Sequence, residues 1–235
     1  MKPIAIIPAR AGSKRIPRKN IRALDGVPIL GRLISKLRAT NLCSRIIVST
    51  DSGEIGSIAT EFGAEVPFTR PAELANDHAT TRDVIAHAVR EMTFEYSQPI
   101  LCIYPTSIMV SDHHIQTAIQ MHGTNQENFV MTAQCFEHPI HRAFEIDSKS
   151  AQITKFFLDA KYLVSRTQDL TQTYHDAGLL YLANAGTWLS DEGIIRAKNS
   201  CILLDRFEHI DVDNEADWAL LEKLYLLQTR LEGSE

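Results

Sequence analysis

The chain has 235 residues, 44% hydrophobic and 23% charged, which suits one large or two small domains with a substantial core. Its net charge of −5 hides an asymmetry: residues 1–22 hold seven cations and no acid, leaving 17 cations against 29 acids beyond them. A basic patch on an acidic body excludes a long nucleic acid as partner, and no apolar run approaches the ~20 residues that cross a bilayer.

In chain order, Ile4–Ile7 reads as a strand, β-branched and ended by Pro8. The loop behind it packs Arg10, Lys14, Arg15, Arg18 and Lys19 around Gly12, Ser13 and Pro17. A buried strand that opens into a cationic loop of small residues suits a polyphosphate, with backbone N–H groups donating beside the side chains. Neither a Walker A nor a GxGxxG spacing is present. Pro28–Arg38 has helical spacing, Arg45–Val48 reads as the second strand, and Ser49-Thr50-Asp51 either holds a metal or caps the helix predicted over Glu54–Phe62.

Arg70-Pro71 follows, then Ala79-Thr80-Thr81 at the start of a helix predicted over Thr81–Glu95. A guanidinium aimed at O2 and N3 of a pyrimidine favours cytosine, because uracil presents a donor at N3. Thr80 and Thr81 compete between capping and ligand contact. Ile100–Tyr104 is the third strand, Asp112–His122 the next helix and Phe129–Ala133 the fourth strand.

From about 136 to 175 the rhythm breaks into short strands and polar turns, including Asp147–Ser150. This reads as an insertion that rejoins the sheet at Gly178, and so as one domain, 1–235, with one excursion. His175-Asp176-Ala177-Gly178 leads into the strand Leu179–Ala183, where a glycine permits close approach of a ligand. Cys201–Leu204 is the sixth strand and Asn214–Leu231 the last helix.

Between them stands Ile210-Asp211-Val212-Asp213, two carboxylates on the same side of an extended run. Their repulsion calls for a cation between them, which makes Asp211 and Asp213 a candidate Mg²⁺ pair; the competing reading is that Asp213 caps the last helix. Cys43, Cys102, Cys135 and Cys201 lack any ligand spacing and read as reduced core cysteines. His113, His114, His138 and His141 read as structural or surface residues. The stretch Pro3–Ala9 is too short for the apolar core of a secretory leader, so a cytoplasmic location is expected. Strand–helix alternation predicts a mostly parallel sheet flanked by helices on both faces.

Taken together and in this order, IIPARAGSKRIPRKN (6–20), VSTDS (48–52), RPAELA (70–75), YPTS (104–107), DAG (176–178) and IDVD (210–213) resemble the CMP-acylneuraminate and CMP-KDO synthetase family, over nearly the whole chain. The resemblance implies a Rossmann-like nucleotidyltransferase fold, CTP and Mg²⁺ as ligands, and a homodimer made partly by an inserted subdomain that serves as dimer contact or lid. The runs RPAELANDHATT, IYPTS and SRTQDL with YHDAG look like the branch that activates pseudaminic acid, a nine-carbon 2-keto sugar acid; N-acylneuraminate, legionaminate and KDO are the alternatives. Residue by residue, the family's phosphate roles fall on Arg10, Ser13, Lys14 and Lys19, nucleoside contact on Asn20, base reading on Arg70 and Thr81, and metal binding on Asp211 and Asp213. Tyr104, Arg166, Gln168, His175 and Asp176 are the expected sugar contacts.

Overall fold

The computed structural model describes residues 1–196 and 198–232. Its strands and helices follow in the order β1 (Ile4–Pro8), β2 (Ala23–Leu24), β3 (Val27–Pro28), α1 (Ile29–Thr40), β4 (Arg45–Ser49), α2 (Gly53–Glu61), α3 (Thr81–Glu91) and β5 (Pro99–Ile103). The second half holds α4 (Asp112–Thr124), β6 (Val130–Cys135), β7 (Phe144–Ile146), β8 (Ile153–Phe156), β9 (Tyr174–Asn184), α5 (Ala185–Leu189), β10 (Ser200–Leu204) and α6 (Glu215–Glu232). All six predicted strands and all five predicted helices form. The short α5 and the β2–β3 hairpin escape periodicity because each is too brief to show one. α3 stops at Glu91 instead of Glu95, where Met92 closes the helix and Thr93 turns to φ +49°.

One six-stranded sheet has the order β10-β6-β9-β5-β1-β4. Every neighbouring pair is parallel except those of β9, which runs antiparallel to both β5 and β6. β1 lies inside the sheet between β5 and β4 and is buried on both faces, which explains its unbroken apolar run. Ala5 and Ile7 face a core built with Leu30 and Ile34 of α1, Ile115 of α4 and Trp218 of α6. Ile4 and Ile6 face the opposite core, with Ile85 and Val89 of α3 and Trp188 of α5. Each such isoleucine taken out of water stabilises by roughly 1.5–3 kcal/mol. Phe129 and Trp188 meet edge to face at 4.7 Å, and the indole donates to the Ile100 carbonyl at 3.2 Å.

Residues 136–173 leave β6 and return as β9; among the described residues β7 and β8 pair only with each other. Asp147 builds their turn, its Oδ1 accepting from the Ser150 N–H at 2.7 Å and hydroxyl at 2.8 Å. The return to the sheet comes at Tyr174, four residues before Gly178. The predicted strand start is late because β9 bulges there: the register on β6 shifts between Met131 and Ala133, and Gly178 takes φ +71°. The cysteine expectation also needs correction. All four are free, but only Cys102 is buried, and Cys201 is exposed because alternate residues of the edge strand β10 face outward.

Candidate active site

The carboxyl ends of β1 and β5 open onto a cleft of about 440 Å³. It is lined by Arg10, Ser13, Lys14 and Lys19 from the loop after β1, and by Asp213 from the run before α6. The two ends of the chain therefore converge on one cavity. A second, larger chamber of about 900 Å³ takes His175 and Asp176 from β9 and Asp211 from the same run. Val212 is fully buried between the two aspartates, so its neighbours turn outward. Asp211 and Asp213 stand where cleft and chamber adjoin.

The cationic loop is held by its own residues. Ile16 is completely buried and anchors its middle. Asn20 is buried and donates its side-chain amide to the Arg10 carbonyl at 2.9 Å. The Ala11 N–H donates to Asp51 Oδ1 at 2.9 Å. Asp51 thus shapes the loop, and the α2 cap is its neighbour Ser52, which accepts from the Ile55 N–H at 3.4 Å. Arg18, in the left-handed region at φ +58°, leaves the cleft to pair with Glu54. Arg22 pairs with Glu215 at 2.7 Å and lies 4.6 Å over the Trp218 ring, pinning α6 to the loop.

Asp213 is not a helix cap. That task falls to Asn214, whose Oδ1 accepts from the Ala216 and Asp217 N–H groups at 2.8 and 3.1 Å. The Asp213 carboxylate instead meets Arg15 Nη1 at 2.9 Å. Lys19 donates to the Val212 carbonyl at 2.8 Å. Burial lowers the Lys19 pKa, against the upward pull of Asp213 and Asp211. Partial burial, followed by repulsion from Asp213, raises that of Asp211. Two carboxylates in this relation favour a cation, and Mg²⁺ suits a site of one or two carboxylates completed by water and phosphate oxygens. Among the described residues no cluster of three or more His, Cys, Asp or Glu offers a fuller metal site.

Arg70 is 3% exposed, lines the cleft and bonds to Ser49, with Nε on the hydroxyl at 3.1 Å and Nη2 on the carbonyl. Thr80 takes the α3 cap in a capping box with Asp83. Thr81 is thereby left to face the cleft, where its hydroxyl bonds to that of Tyr104. Tyr104 packs edge-on against Tyr181 at 6.4 Å, and the Tyr181 hydroxyl donates to Asp176 Oδ2 at 2.7 Å. Burial raises both phenol pKa values, so these hydroxyls stay protonated at neutral pH. This chain of contacts joins the cleft to the chamber.

Arg166 and Gln168 line neither cavity; Arg166 pairs with Asp169 at 2.9 Å on the inserted segment. Among the lining residues absent from the expectations are three that carry charge or a titratable ring. Asp77 pairs with both Arg10 and Lys14. Arg206 is the sole arginine or lysine among the described residues lining the chamber. His209 lines it too, with a buried, unpartnered Nδ1. The sequence signal for Asp77 was its place three residues after Leu74 of the RPAELA run, between two polar neighbours; Arg206 and His209 carry no comparable mark.

A parallel sheet with one reversed strand, a cationic loop behind β1 and paired carboxylates across a cleft define an α/β nucleotidyltransferase. The cytidylyltransferase family profile matches residues 4–227, and the chain belongs to that family. It is 34% identical to a pseudaminic acid cytidylyltransferase of Campylobacter jejuni, over 96% of this chain and 97% of that one. It is 33% identical to a CMP-N,N'-diacetyllegionaminic acid synthase of Legionella pneumophila, over 95% and 96%. Its fold matches that of a CMP:2-keto-3-deoxy-manno-octonic acid synthetase complexed with CTP, at a TM-score of 0.70 and 14% identity over 97% of this chain and 100% of that one.

Proposed function

We propose that the protein transfers CMP from CTP to the anomeric hydroxyl of pseudaminic acid and releases pyrophosphate. The observation that carries this reading is the convergence of Arg10, Lys14, Lys19 and Asp213 on one cleft that adjoins a separate, larger chamber through Asp211. Supporting it are the pseudaminic acid relative's 34% identity at nearly full length and the family itself.

The triphosphate would lie against Arg10, Ser13, Lys14 and Lys19, with Asn20 holding the loop and Arg70 and Thr81 at the base. Charge-assisted bonds from these cations would stabilise the pyrophosphate as it leaves. The sugar acid would fill the chamber, its carboxylate toward Arg206 and its hydroxyls toward His175 and Asp176. Tyr104 would set the boundary between the two substrates. Positioning of the sugar hydroxyl in line with the α-phosphorus accounts for most of the acceleration. Asp211 and Asp213 would hold Mg²⁺, which when bound neutralises phosphate charge and acidifies a nearby hydroxyl.

The exposed apolar residues of the β7–β8 segment, among them Ile146, Ile153 and Phe157, support a homodimer in which this excursion is covered by a second copy. No described helix is long and apolar enough to cross a membrane, and use of CTP fits work in the cytoplasm.

The test is pyrophosphate release from CTP and from UTP with a panel of pseudaminic, legionaminic, neuraminic and KDO acceptors. Release with CTP and pseudaminic acid is expected. Turnover with another acid alone would replace the acceptor, and absence of any CTP turnover would remove the reading. Legionaminate is the second acceptor to weigh, because the legionaminic acid relative is 33% identical over 95% of the chain.

A further inference from the structure

We propose that Asp77 is an internal counter-ion for the phosphate-binding cations, a carboxylate that Arg10 and Lys14 exchange for the nucleotide's phosphates and that favours departure of pyrophosphate. This rests on the reading of the cleft as a polyphosphate cradle.

The geometry is that of a bridging oxyanion. Asp77 Oδ1 lies 2.8 Å from Arg10 Nη1, and Oδ2 lies 2.7 Å from Lys14 Nζ. One carboxylate thus engages two cations that flank the same cleft, each through a separate oxygen, as two oxygens of a phosphate would. A small turn presents it. Asn76 Oδ1 accepts from the His78 and Ala79 N–H groups at 2.7 and 3.0 Å, and its amide donates to the Glu73 carbonyl at 2.7 Å. Arg10 also donates to the Ala75 carbonyl at 3.3 Å. The turn therefore delivers Asp77 to the cradle as a tethered competitor, which acts at a high effective concentration.

Lys14 and then Arg10 lower the Asp77 pKa to about 2, so it cannot yield its place by taking a proton at neutral pH. It yields by charge. Ion pairs at such exposed positions are individually weak, so the exchange is easy. A triphosphate carries several negative charges and is also anchored by its nucleoside, so it displaces one carboxylate. Pyrophosphate has lost the nucleoside anchor and competes with Asp77 on the cations alone. An alternative role for Asp77 is purely to hold Arg10 and Lys14 in place. The two roles predict opposite signs when its charge is removed and its shape kept.

Calorimetric titration of inorganic pyrophosphate into wild type, Asp77→Asn and Asp77→Ser separates them, with a thermal melt of each variant to verify folding. We expect both variants to bind pyrophosphate roughly fivefold more tightly, and product inhibition by pyrophosphate to strengthen by the same factor. On a Lys14→Met background, Asp77→Asn should gain much less. Equal or weaker binding by the folded variants would overturn the role of Asp77 and leave the cradle intact. Absence of pyrophosphate binding to wild type and variants alike would overturn the cradle, and this proposal with it.

Discussion

Lys19 Nζ donates to the carbonyl of Val212 at 2.8 Å, tying the loop behind the first strand to the run that carries both aspartates, 193 residues later. That bond sets the width of the cleft between cation and carboxylate. It also places a half-buried ammonium beside Asp211 and Asp213, where its charge is worth more than at the surface.

Lys19→Met should therefore damage both sides of the cleft. The expected loss in kcat/KM for CTP is about 100-fold, with a smaller loss for Lys19→Arg. Steady-state kinetics at saturating sugar acid give the number. A loss of less than about threefold would mean that the lysine is only a strut.

Asp211→Asn and Asp213→Asn should each raise the magnesium concentration needed for half-maximal activity and cut kcat by two orders of magnitude or more, on the order of a lost transition-state contact. The two need not be equal, because Asp213 also holds Arg15 and Asp211 does not. A magnesium titration of each variant distinguishes a metal ligand from a residue that only shapes the loop, whose replacement would leave the metal dependence unchanged.

Stability should fall on the acid side through buried histidine. Burial, with His114 nearby, holds His209 at about 4, below its ordinary value near 6.5. Its folded pKa is depressed, so the unfolded chain binds more protons between those values. The stabilisation is complete above about pH 6.5 and is lost as pH falls toward 4, amounting to about 3 kcal/mol from this side chain. His114 and His122, also lowered first by burial, act in the same direction. Thermal melts from pH 7.5 to 4.5 should show this fall, and His209→Gln should flatten it. An unchanged slope in that variant would assign the acid limb to the other histidines.

Arg206→Ala should raise KM for the sugar acid about tenfold, the scale of a lost charged hydrogen bond, and leave KM for CTP within twofold. Arg206 pairs with Glu137 at 2.6 Å, so Glu137→Gln should free it and lower the sugar KM. Equal effects on both substrates would show that the arginine merely supports the chamber wall.

Replacement of Ile153 by Asp on the exposed hairpin should convert a dimer to monomers in sedimentation analysis without unfolding either copy, since β7 and β8 pair only with each other. A single mass for wild type and variant would remove the paired assembly.

The sheet was legible because its inner strands are continuous apolar runs and every helix but α5 is longer than two turns. The cradle was legible because five cations crowd one short loop. What stayed hidden depends on contacts between distant segments. Nothing local shows that Arg15, and not a helix N-terminus, holds Asp213, or that Thr80 takes the cap and frees Thr81. Asp77 looks like one polar residue in a turn until Arg10 and Lys14 arrive from far upstream in the chain. Gly178 reads as the opening of a strand because its bulge, with the Thr132 hydroxyl accepting from the Leu179 and Leu180 N–H groups at 3.1 and 3.4 Å, interrupts the alternation of β9.

The reversed direction of β9 has a consequence for how such enzymes diversify. Its first residues lie where its neighbours finish, so whatever chain feeds it is delivered to the reacting edge of the sheet. The strands of that delivered segment, β7 and β8, lie outside the six-stranded sheet, so no rung of the parallel ladder rests on them. Of that segment Phe136, Glu137 and His138 line the chamber, so its first residues can reshape the chamber while the nucleotide half is left as it is.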